Sequence, residues 1–123
     1  DAKKMADGSW HVFVAGGRKD TGRDLIQWAQ EVVALGAGEI LLTSMDKDGT
    51  KSGFDLEILN RVAEVVDVPI IASGGAGNIE DIVEVFEKTT ATGALAASIF
   101  HFGEVNIGET KQVLANAGIE VRQ

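Results

Sequence analysis

Three short, nearly continuous apolar runs limit what this chain can fold into more than any other feature. They are Glu39-Ile40-Leu41-Leu42-Thr43-Ser44-Met45, Val68-Pro69-Ile70-Ile71-Ala72-Ser73 and Ala94-Leu95-Ala96-Ala97-Ser98-Ile99-Phe100. An apolar run of this length without alternation is the pattern of a parallel strand covered on both faces. The alanines of the third run are poor strand formers and weaken that assignment. Four helical patterns alternate with the runs. Leu25, Trp28, Ala29, Val32 and Val33 share one face, with Gly36 as the stop. Leu56, Leu59, Val62, Ala63 and Val66 share a second face, and Ile79, Ile82, Val83 and Phe86 follow an Asn78 N-cap. A fourth helix starts at Asn106, with Glu109 at capping-box spacing, and stops near Gly118. The strand starts lie roughly 30 and then 25 residues apart, the period of stacked βα units. The predicted order is αβαβαβα, an α/β chain with a parallel sheet.

Ahead of the first helix, Trp10-His11-Val12-Phe13-Val14-Ala15 is a further extended segment between the turn signals Ala6-Asp7-Gly8-Ser9 and Gly16-Gly17. It reads as one arm of a hairpin inserted after a strand whose end is Asp1-Ala2-Lys3. At 123 residues the chain has the size of one domain. A parallel sheet of three or four strands has two exposed edges, and exposed edges are association sites. The chain is therefore expected to form a homo-oligomer or to take the remaining strands from a partner.

Composition removes several function classes. Without Cys there is no disulfide or thiolate metal site, and His11 and His101 are too few for a His-rich cluster. The net charge is −8 and no block of Lys/Arg exceeds two residues, so nucleic-acid binding through a basic surface is not expected. No apolar run is long enough to span a membrane. Asp1-Ala2-Lys3-Lys4-Met5 lacks the apolar stretch of a signal peptide, so a cytoplasmic location is expected. A small phosphorylated ligand remains open, because backbone N–H groups bind phosphate without a basic surface.

Candidate ligand-binding residues cluster where strands give way to helices. Ser73-Gly74-Gly75-Ala76-Gly77-Asn78 joins a strand to a helix start, where glycines let the backbone approach an anion and the helix dipole favours it. The alternative is a tight βα turn with no ligand. The segment lacks the third glycine of a dinucleotide fingerprint and fits no P-loop. Ala97-Ser98-Ile99-Phe100-His101-Phe102-Gly103 follows the third run, the place where barrels often hold phosphate near a short extra helix. His101, between two Phe, is more simply a packed histidine than a catalytic base. Asp46-Lys47-Asp48-Gly49-Thr50-Lys51-Ser52-Gly53 puts two carboxylates two residues apart, but an EF-hand needs glycine where Lys51 stands. Thr43 and Asp46 lie at that strand's end, where active-site groups gather, or serve loop hydrogen bonding. Asp1 is a candidate general acid/base or a solvated terminal carboxylate, and Glu39 by itself is an exposed charge.

The runs Gly36 to Ser44, Asp46 to Gly53, Pro69 to Gly77 and Ala94 to Phe102, long and in order, resemble the cyclase subunit of imidazole glycerol phosphate synthase. The resemblance covers essentially this whole chain, but only the C-terminal half of that family's (βα)₈ barrel, from the end of barrel strand 5 through helix 8. It implies a single (βα)₄ half-barrel domain over residues 1–123. It implies a lyase of histidine biosynthesis that uses ammonia from a glutaminase subunit. The substrate would be a phosphoribulosyl-formimino aminoimidazole carboxamide ribonucleotide. The products would be imidazole glycerol phosphate and an aminoimidazole carboxamide ribonucleotide, with no metal or organic cofactor. Residue by residue, Asp1 matches one of two general acid/base aspartates. Thr43 and Asp46 match active-site positions. Asp48, Gly49, Gly74, Gly75, Ala97 and Ser98 match the phosphate site of the C-terminal half. Glu39 matches one carboxylate of the charged gate that admits ammonia.

The family's second aspartate has no counterpart here, and one general acid/base group typically contributes about 10²–10⁴-fold. Little turnover is expected from the chain alone, and the glutaminase partnership is doubtful. Three readings follow: a cyclase half that works with an N-terminal half, a non-catalytic phosphate-binding half-barrel that assembles with itself, and a structural piece without a function of its own.

Overall fold

A computed structural model describes residues 1–101 and 103–122, without the side chains of Ser98 and His101. The chain runs through strands β1 (Ala2–Lys4), β2 (Trp10–Val14) and β3 (Lys19–Asp24), then helix α1 (Leu25–Ala34) and strand β4 (Ile40–Thr43). It continues through α2 (Leu56–Ala63), β5 (Ile70–Ser73), α3 (Ile79–Lys88), β6 (Gly93–Leu95), α4 (Ser98–His101) and α5 (Ile107–Asn116). Strands β4, β5 and β6 pair in parallel in that order, with Leu42 opposite Ala72 and Ala72 opposite Ala94. The first three strands form an antiparallel sheet in which Lys3 faces His11 and Phe13 faces Asp20. One residue joins the two sheets. Ala2 forms a parallel bridge with Ser44, and Met45 N–H donates to the Ala2 carbonyl at 2.8 Å. The start of β1 thus lies parallel to the end of β4 at this single bridge.

Local chemistry accounts for the helix starts. Asp24 accepts from Gln27 N–H, Asp55 from Ile58 N–H, Asn78 from Asp81 N–H and Asn106 from Glu109 N–H, so every helix of eight residues or more begins on a side-chain cap. The core gathers on one face of the parallel sheet. Leu42, Ile70 and Ala72 are buried there against Ile58, Leu59 and Val62 of α2 and Ile82 and Val85 of α3.

Two expectations need correction, and one strand was not expected. Strand β6 ends at Leu95, and Ser98-Ile99-Phe100 turns into α4 instead of continuing the strand. The packing explains it: Ile99 is fully buried in the core cluster, and Val105 N–H closes on its carbonyl at 3.0 Å. Strand β3, Lys-Asp-Thr-Gly-Arg-Asp, carries no apolar residue and was not individually legible; it exists because β2 supplies its ladder. The parallel strands are also covered on one face only. Leu42 is 3% exposed and Ala72 0%, whereas Leu41 is 54% and Leu95 45% exposed.

Candidate functional site

The carboxyl ends of the parallel strands build a cleft of about 120 Å³. Its floor is the turn after β5, and one wall is the loop after β4. That loop folds on itself: Asp48 N–H donates to the Ser44 carbonyl at 2.9 Å, and Thr50 N–H to the Lys47 carbonyl at 2.9 Å. Ser44 Oγ donates to Asp55 Oδ2 at 2.8 Å, tying the strand end to the cap of α2. The loop then lies directly on the glycine turn. Gly53 N–H donates to the Gly75 carbonyl at 2.8 Å, and a Cβ on Gly75 would stand 2.0 Å from the Gly53 carbonyl oxygen. Gly74 and Gly75 have φ of +95° and +113°, so both the approach and the turn require residues without a side chain.

Of the residues expected to hold phosphate, Asp48, Gly49, Gly74, Gly75 and Ala97 all line this one cleft. The Ser98 side chain lies outside the described residues, as does that of His101. Among the described residues, the N–H groups of Gly49, Gly75 and Ala76 donate to no protein acceptor. The start of α3 differs from the expected anion seat. Gly77 N–H donates to Asp81 Oδ2 at 2.8 Å, and the first turn carries Glu80 and Asp81. The chain's own carboxylates occupy that helix end, so an anion is left with the turn amides.

The candidate catalytic residues sit beside the cleft. Because Ala2 is level with Ser44, Asp1 stands level with Thr43, and Thr43 pairs with Ser73 in the next strand. Asp1 is exposed and lines a neighbouring apolar groove with Trp28 and Leu41. Asp46 is engaged: its Oδ2 accepts the Lys4 N–H at 2.8 Å, latching β1 to the loop. Glu39 immediately precedes β4 and is exposed at the opposite end of the strand, roughly 13 Å from Thr43 at the usual rise per residue. No group of three or more acidic or histidine side chains among the described residues is placed to hold a metal ion. Among the described residues no helix is long and apolar enough to cross a membrane.

A family model described as histidine biosynthesis protein matches residues 1–106. The chain belongs to this family. It is 74% identical over 122 residues to the imidazole glycerol phosphate synthase subunit HisF of Streptococcus sanguinis (strain SK36), covering 99% of this chain and 48% of that protein. It is 73% identical over 122 residues to the subunit of the same name from Streptococcus mutans, with 99% and 49% covered. It is 59% identical over 122 residues to that from Bacillus cereus (strain Q1), with 99% and 48% covered. The chain spans about half the length of these relatives. Its parallel strands alternating with helices have the architecture of half a (βα)₈ barrel.

Sequence reasoning on this family member missed several residues of the cleft. Lys51, Ser73, Ala76, Leu95 and Ala96 also line it. Lys51 and Ser73 stand within motifs already singled out, so position in the motif was the available signal. The approach of Leu95 and Ala96 depends on where β6 stops, which the alanine-rich run conceals.

Proposed function

We propose that this chain supplies the C-terminal half of a cyclase site of the imidazole glycerol phosphate synthase type, folded as one half-barrel over residues 1–123. The observation that carries the reading is the convergence of Asp48, Gly49, Gly74, Gly75 and Ala97 on one cleft, beside Thr43 at the end of β4 and Asp1, which the parallel bridge from Ala2 to Ser44 sets level with it. In this reading the turn amides of Gly49, Gly75 and Ala76 hold one phosphate of the ribonucleotide. Its reacting part then lies over the strand ends. Asp1 moves a proton there as one of two general acid/base groups, and Thr43 orients the substrate. Asp46 fixes the strand that carries Asp1 through its bond to Lys4 N–H. Ammonia, released by a glutaminase partner, would enter past Glu39 at the far end of the sheet. The reaction draws on no metal or organic cofactor, and the setting is cytoplasmic.

The second carboxylate and the second phosphate anchor would come from an N-terminal half-barrel. Losing one general acid/base group costs about 10²–10⁴-fold. Phosphate binding without turnover is therefore the expected behaviour of the chain alone. A second reading, a self-assembling phosphate-binding module, is favoured by the open sheet face that bears Leu41 and Leu95. The test is ammonia-dependent conversion of the ribonucleotide by the chain alone and with an N-terminal half-barrel, with Asp1→Asn as control. Turnover only in the mixture, lost in the variant, is expected. Turnover equal in wild type and Asp1→Asn overturns the role of Asp1. A folded, phosphate-stabilised oligomer by light scattering, silent in the mixture, favours the second reading.

A further inference from the structure

The cleft carries a cation that its expected phosphate ligands do not include. Lys51 lines it, with φ +56°. Left-handed backbone disfavours a side chain, and glycine would adopt it freely. Among the described residues only Ala15 and Lys51 take a positive φ without being glycine. The Lys51 peptide is also closely packed against its neighbour Gly77. A Cβ on Gly77 would stand 2.1 Å from the Lys51 carbonyl oxygen, so the Lys51 peptide rests on the bare α-carbon of Gly77. A strained backbone that keeps a long cationic side chain beside a cleft marks a position where the side chain is used.

The Lys51 ammonium pairs with the carboxylate of Glu104, in the loop between α4 and α5. The two side chains are 39% and 43% exposed, so the pair is open to exchange with solvent ions. The other charged side chain lining the cleft is Asp48. Without Lys51, the described lining would offer a phosphate no cationic side chain. With the Lys51–Glu104 pair closed, the three charged groups sum to −1, and the ammonium is not available to an anion.

We propose that Glu104 stands in for the ligand's phosphate, holding Lys51 at the cleft until an incoming phosphate takes over the ammonium. Lys51 is then a binding residue and Glu104 a positioning residue that sets the affinity of the site. This rests on the phosphate reading of the cleft given above. The exchange is chemically balanced: one exposed carboxylate–ammonium pair is given up for one charge-assisted bond from the ammonium to a phosphate oxygen, and the freed Glu104 returns to water.

The test is calorimetric titration with inorganic phosphate at low ionic strength on the wild type, Lys51→Met, Glu104→Gln and the double variant. Lys51→Met should weaken binding by about tenfold, the loss of one partly exposed charge-assisted bond. Glu104→Gln should tighten it by roughly two- to fivefold, the weight of an exposed ion pair. In the Lys51→Met background that gain should nearly vanish, which a merely structural role for Glu104 would not produce. Lys51→Gly guards against a folding artefact: it relaxes the left-handed backbone, keeps the fold by circular dichroism, and should lose the same affinity as Lys51→Met. If wild type and Glu104→Gln bind phosphate equally, or the gain persists undiminished without Lys51, the proposal fails while the phosphate reading stands. If none of the folded proteins binds phosphate, both fail.

Discussion

Gly75→Ala tests how the cleft is built. The added methyl group would lie 2.0 Å from the Gly53 carbonyl oxygen and 3.0 Å from Lys47 Cβ. At φ +113° the backbone is beyond the ordinary left-handed well, so the conformational cost lies toward the top of about 1–2 kcal/mol. The clash is with backbone and cannot be relieved by a rotamer change. The 46–53 loop must lift, and lifting breaks the Gly53 N–H to Gly75 carbonyl bond, about 1 kcal/mol more. The sum is about 2–3 kcal/mol. Gly49→Ala is the matched control on the same cleft. Its φ is +77° and a Cβ there meets nothing within 4 Å, so it should cost about 1 kcal/mol. Urea unfolding at one fixed protein concentration measures both, with equal slopes required for the comparison. Repeating it with saturating phosphate adds the ligand term. Gly75→Ala should lose most of the phosphate stabilisation, and Gly49→Ala should keep more of it. Two variants destabilised equally within about 0.5 kcal/mol would refute the reasoning, because the contact with Gly53 would then contribute nothing.

Two further perturbations probe the supports of the site. Asp46→Ala removes the acceptor of Lys4 N–H and should destabilise by about 1 kcal/mol, with faster hydrogen exchange at Lys4; Asp46→Asn keeps an acceptor and should cost less. The Asp20 carboxyl is held below its ordinary value of 3.8 by the Gly22 N–H first and by His11 second. A depressed carboxylate contributes stability that is fully present above pH 3.8 and is lost as pH falls through the lower folded-state value. Hydrogen exchange of Gly22 should therefore quicken on acidification below that pH in the wild type. In Asp20→Asn it should be independent of pH once corrected for intrinsic exchange.

The parallel elements were legible because their signals are local. Ile40 to Thr43 and Ile70 to Ser73 are apolar runs, and Asn78 and Asn106 cap α3 and α5. Strand β3 was not legible, because Lys19 to Asp24 has no hydrophobic period and owes its extension to partners on β2. The third apolar run was too long as a strand for a related reason. Burial of Ile99 in the core, a property of the assembled fold, decides that the chain turns there. The site divides the same way. Glycines at 74 and 75 announce a turn, and the structure gives them the positive φ that glycine tolerates. The engagement of Asp46 with Lys4, of Asp81 with Gly77 and of Lys51 with Glu104 joins residues whose encounter no local pattern encodes.

The burial pattern of the sheet connects these observations to function. Along β4 and β5 the even-numbered residues Leu42, Ile70 and Ala72 are buried beneath helices, while the odd-numbered Leu41 and Thr43, with Ile71 and Ser73, face the other side. Glu39, Leu41 and Thr43 alternate along one strand and share that open face, and Asp1 is level with Thr43 at its carboxyl end. Glu39 and Thr43, proposed for ammonia entry and substrate orientation, therefore lie on the side of the sheet that this chain leaves uncovered, with Asp1, proposed for proton transfer, beside Thr43 at the strand end. The cleft proposed for phosphate is different, because its walls are loops that the chain closes on itself through Gly53 and Gly75. Binding of phosphate should consequently survive in the isolated chain, while chemistry should depend on whatever covers Leu41 and Leu95. The two proposed functions are separable by physical origin: one rests on backbone packed against backbone, the other on side chains waiting for an opposing wall.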